Sequence, residues 1–144
     1  MAYFNQDRKQ ERAPAIKAIL KKYGVKGSLA VRNHMTFVLN IKSGSIDFIE
    51  NYIKTDADKP YGNKMSAEQV AYIRKNQCLD VNTYWYQEHY SGKAKDFLKE
   101  ILVAMYGSGW YDNSDVQTDY FDTEFYIDVN IGNWNKPYIF TLEK

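Results

Sequence analysis

Cysteine is all but missing. Cys78 stands alone, which excludes an internal disulfide, and the two histidines form no Cys/His cluster of the spacing zinc requires. A reducing compartment is the simplest expectation, with Cys78 as a small buried hydrophobe. Long apolar runs are missing too. Nowhere do about 18 uncharged apolar residues follow one another, and the opening MAYFNQDRKQER has no apolar stretch of the kind a signal peptide needs. The expectation is a cytoplasmic protein with no membrane partner.

Catalytic signatures are equally scarce. No Ser, Cys or Thr sits in a recognisable nucleophile setting, and His34 or His89 becomes a general base only if the fold brings an acid within hydrogen-bond reach. SGKAK at 91–95 lacks the leading glycine of a phosphate loop and the hydroxyl residue after Lys93. The acidic run YDNSDVQTDYFDTE, with Asp112, Asp115, Asp119 and Asp122, lacks EF-hand ligand spacing and its turn glycine. No metal, no cofactor and no enzymatic activity are expected.

What the chain does have is apolar and aromatic surface: 44% hydrophobic residues and 16% aromatic, with 13 tyrosines and three tryptophans. That is enough to offset ordering entropy, so a folded domain spanning 1–144 is expected. The charge is split along it. Residues 1–54 carry 10 Lys and Arg against 4 Asp and Glu, whereas residues 109–144 carry 2 against 7. Such ends either pair in the fold or make the molecule dipolar.

Periodicity predicts the elements. Residues 5–23 read as a helix closed by Gly24, with Pro14 expected to kink or divide it. From Ser28 to Lys42 the period is two, and Asn33–His34 suggests a hairpin turn. Ser45 reads as the cap of a short helix, and Ser66 with Gln69 as the capping box of another after the loop at 54–65. Leu79, Val81, Thr83 and Trp85 alternate as a strand through Tyr86. Ala94, Phe97, Leu98, Ile101, Leu102 and Met105 fall at helical spacing before Gly107. Phe125 to Ile131, a turn near GNWNKP, and Tyr138 to Leu142 read as a C-terminal hairpin with Pro137 at its second strand. The fold class expected is α+β: a mainly antiparallel sheet of about five strands with helices packed on one face.

Three strands repeat a local pattern: VLNI, DVNT and DVNI. Each sets an asparagine opposite the apolar face, so Asn40, Asn82 and Asn130 are expected on one side of the sheet, with Asp80, Tyr84, Tyr86, Tyr126 and Asp128 beside them. Asparagine and aspartate are poor strand formers, and their repetition marks this side as a partner-binding face, extended by the acidic 111–124 segment. An alternative, nucleic-acid binding, falls to the basic helix through Arg8, Lys9, Arg12, Lys17, Lys21 and Lys22.

The stretches KAILKKYGVKGSLAVRNHMTFVLNIKSGSIDFI, GKAKDFLKE and DNSDVQTDYFDTEFYIDVNIGNWNKPY together resemble the large polyvalent protein-associated domain family of phages, plasmids and other mobile elements. The resemblance covers nearly the whole chain. It implies a free-standing copy that acts in a host cell against defences such as CRISPR or restriction systems, by binding a host protein or nucleoprotein complex as a monomer or homodimer. It carries no established catalytic residues.

Overall fold

The computed structural model describes residues 3–60, 62, 64–107, 125–133 and 135–141. Helix α1, Gln6–Tyr23, starts where the Asn5 side chain accepts the Arg8 amide at 2.9 Å and stops at Gly24, whose φ of 67° needs no Cβ. It runs unbroken through Pro14. Pro14 and Gln10 are both on the solvent side, so the carbonyl that proline leaves unbonded is met by water.

Strands β1, Val25–Arg32, and β2, Thr36–Gly44, form the expected hairpin. Asn33 and His34 take φ values of 54° and 55°, the paired left-handed geometry whose twist matches that of the strands. Helix α2, Phe48–Ala57, is capped by Asp47 and not by Ser45. The Ser45 hydroxyl instead donates to the Tyr23 carbonyl at 2.8 Å and ties the end of β2 back to the end of α1.

Helix α3, Ala67–Asn76, has the capping box of Ser66 and Gln69 and buries no residue fully. Strand β3 is only Leu79–Val81. The alternation seen through Tyr86 is cut short because the Asn82 side chain accepts the amides of Tyr84 and Trp85 at 3.0 and 3.1 Å, turning the chain into the short helix α4, Tyr86–His89. Helix α5, Gly92–Tyr106, follows, then β4, Tyr126–Ile131, and β5, Ile139–Phe140.

The class is α+β with a five-stranded sheet, but that sheet is mixed. Its order is β1-β2-β4-β3, with β4 parallel to β2 and β5 also parallel to β2. The long crossover between β2 and β4 permits the parallel pairing. The C-terminal hairpin is corrected in the same way: Asn133 and Lys136 make a local antiparallel bridge, yet β5 does not fold back on β4. The Tyr138 amide donates to the Gln77 carbonyl at 2.8 Å, drawing the excursion toward the end of α3, and the chain then resumes β4's line beside Ser43 and Gly44.

Val25, Phe37, Leu39, Ile41, Val81, Val129 and Ile131 of the sheet join a core completed by Ile16 and Leu20 of α1, Phe48 and Ile49 of α2 and the inner face of α5. Each such side chain contributes about 1.5–3 kcal/mol on leaving water. Phe4 joins them fully buried, stacked on Phe37 with ring centroids 4.4 Å apart. Its amide donates to the His34 carbonyl at 2.6 Å. Cys78 is half-buried and not a core residue. Among the described residues no helix is long and apolar enough to cross a membrane.

Candidate functional site

Alternation in β2 and β4 sends Phe37, Leu39, Ile41, Val129 and Ile131 to the helices, so Thr36, Val38 and Asn40 and Tyr126, Asp128 and Asn130 share the opposite face. Register then builds rows across the strands. Ser28, Asn40, Asn130 and Asp80 stand side by side from β1 to β3, and Arg32, Thr36 and Tyr126 form another row four residues away along β2 and β4.

The rows are wired together. The Asn130 amide nitrogen donates to Asn40 Oδ1 at 3.2 Å and lies 3.4 Å from Asp128 Oδ2. Arg32 reaches over β2 to pair with Asp128 at 3.0 Å. That crossing accounts for Val38 and Thr36 lying only 5% and 9% exposed on an otherwise polar face. Asp80 is held above the usual carboxylate range: partial desolvation raises it first, then the charge of Asp128 and a hydrogen bond with it, against the pull of Arg32. The face therefore presents two carboxyl groups to one guanidinium, beside two amide side chains and a Tyr126 ring that is 43% exposed.

Of the residues expected here, the structure brings together Asn40, Asp80, Tyr126, Asp128 and Asn130. Asn82 and Tyr84 belong to the turn after β3, and Tyr86 is buried in the core, so none of the three lies on this face. Asp112, Asp115, Asp119 and Asp122 fall outside the described residues. Ser28 and Arg32 are additions. The period of two around Leu29 and Val31 already puts Ser28 and Arg32 on the polar side, but only the sheet order shows that Arg32 meets Asp128.

The basic helix is largely occupied in holding the fold. Arg12 donates to the Met105 and Tyr106 carbonyls at 2.6 and 2.5 Å, capping α5, and its guanidinium lies 5.0 Å from the Phe125 ring. Arg8 donates to the Tyr3 carbonyl at 2.7 Å and sits over Phe4. Lys22 pairs with Glu100 at 2.9 Å, and Glu100 also accepts from the Tyr23 hydroxyl. That hydrogen bond to an anion is the main reason the Tyr23 phenol is pushed up to about 12. Lys9 is half-buried; Lys17 and Lys21 remain exposed. Arg8, Arg12 and Lys22 are thereby withdrawn from a phosphate-binding stripe.

His34 is exposed in the hairpin turn and contributes its backbone carbonyl, while the His89 ring lies 5.7 Å from that of Tyr52. Among the described residues neither imidazole hydrogen-bonds or pairs with an acid, and no group of three or more potential metal ligands occurs. No family model, curated protein or solved structure matches the chain.

Proposed function

We propose that the protein is a non-enzymatic interaction protein that docks a partner protein on the open face of its sheet. The observation that carries this reading is the in-register polar row Ser28–Asn40–Asn130–Asp80 on the side away from the helices, flanked by the exposed Tyr126. The face suits a partner that brings a lysine or arginine to Asp80 and Asp128 and an apolar surface to the Tyr126 ring, since aromatic side chains with a polar tip supply much of the energy of such contacts. The resemblance to the polyvalent family supplies the biological setting, a counter-defence protein of a phage or mobile element acting on a host protein or nucleoprotein complex.

The test is a pull-down from host lysate with the full chain and with a Tyr126→Ala, Asp80→Lys variant, each checked for native circular dichroism. Captured partner should fall about tenfold or more in the variant, the scale of losing one interface hot spot. Equal capture by a folded variant removes this face from consideration.

A further inference from the structure

Strand β1 ends the sheet, and over Val25–Arg32 its outer edge pairs with no described residue. Eight residues is long for an edge left bare, and it presents a row of free backbone donors and acceptors. The strand starts in an open cleft of about 660 Å³ whose lining includes Lys17 and Lys21 of α1, Lys26 and Gly27 of β1, and Ser45 and Thr141. Lys21 answers the negative end of α1. Lys17 lies a turn further back and Lys26 lies on the strand. None of the three lysines makes an ion pair among the described residues.

We infer that β1 accepts an extended, acid-bearing segment of a partner protein as an added strand, with carboxylates seated among Lys17, Lys21 and Lys26. The incoming backbone satisfies the free edge, and its inward side chains meet Leu29 and Val31, which are only partly buried. A second copy of this chain fits less well, because the edge VKGSLAVR carries Lys26 and Arg32 and no acid. Nucleic acid supplies anions but does not match alternating backbone donors and acceptors. Lys26 and the bulge between Lys26 and Gly27 guard that end against indiscriminate strand addition. An opposing carboxylate turns the same charge into an attraction. The edge shares Ser28 with the polar row but lies across the sheet from Tyr126 and Asp80, so either can fail without the other.

The probe is a fluorescent peptide of alternating Glu and Val, as long as β1, titrated with the full chain. Anisotropy should saturate, and amide exchange should slow at alternate residues of β1. A Lys17→Glu, Lys21→Glu variant should bind about tenfold more weakly or worse, the change being greatest at low salt. N-methylating alternate peptide residues, which deletes backbone donors and keeps every side chain, should abolish binding. The inference is overturned if the Glu–Val peptide does not bind, if the N-methylated peptide or a Lys–Val counterpart binds equally well, or if a single-stranded oligonucleotide takes the same lysines more tightly. Dimerisation through β1 in sedimentation overturns it too. A Tyr126→Ala, Asp80→Lys chain should bind the peptide unchanged, which separates this surface from the open face.

Discussion

Gly107 shows how a single residue is fixed by its neighbours. Its φ of 70° and ψ of 177° lie where side chains are rarely tolerated, and a Cβ there would come within 2.7 Å of the Arg12 guanidinium that caps α5. Gly107→Ala is expected to lose about 1–3 kcal/mol of stability. Gly92, with φ of 59° and nothing within 4 Å of a built Cβ, is the control; Gly92→Ala should lose only about 1 kcal/mol. Urea unfolding of both variants should show the larger loss at Gly107, where an unfavourable backbone and the Arg12 guanidinium act together. Asp80 makes a pH prediction. Its folded carboxyl keeps a proton to higher pH than in the unfolded chain, so the folded state binds more protons and stability falls as pH rises from the ordinary aspartate range through the raised value. Asp80→Asn supplies a permanent donor to Asp128 and should stabilise the protein at neutral pH by less than about 1 kcal/mol, since the site is open to screening solvent. The gain should vanish toward pH 4 in denaturation curves.

Among the elements, α3 is held by its capping box, by one ion pair and by the partly buried Val70 and Ile73. It buries no side chain fully, Ser66 and Gln69 close its N-terminus, and Arg74 grips Glu50 of α2 through two hydrogen bonds of 3.0 and 2.9 Å. Ser66→Ala should cost about 1 kcal/mol. Hydrogen exchange should show the α3 amides opening sooner than those of α5, whose inner face is wholly in the core. The elements that were legible in the sequence are those whose signal is local: the Asn33–His34 turn, the Ser66 box, the spacing of Phe97, Ile101 and Met105. Strand β3 is shorter than its alternation predicts: Thr83 and Trp85 continue the period of two, but the Asn82 side chain captures the next amides and ends it. The partner of β2 was illegible for another reason. No local pattern in VLNI or DVNI states that the two run parallel, and that choice decides which side chains share the face with Asn40.

At the scale of the whole molecule, Phe4 closes the structure. It stacks on Phe37 from β2, touches Phe125 at a centroid distance of 4.7 Å ahead of β4, and bonds the hairpin turn. Nothing in the opening residues marked it as core, because its partners are remote in sequence. Phe4→Ala should destabilise the fold by about 3–5 kcal/mol in chemical unfolding, as expected for emptying a buried aromatic site. The α+β class and the helical face were readable from periodicity; the role of Arg8 and Arg12 in covering Phe4 and Phe125 was not, since a basic helix looks the same whether it faces water or a ring.

The insertion of β4 between β2 and β3 governs how the protein reaches this state. Hairpin and first helix assemble from near neighbours, but Asn40 waits for Asn130, 90 residues along the chain. Until that segment arrives, the apolar run Phe37–Ile41 has one flank open, a template for other unfinished chains. Recovery from denaturant therefore depends on dilution: the yield of native protein falls as concentration rises, although the finished molecule leaves that flank sealed.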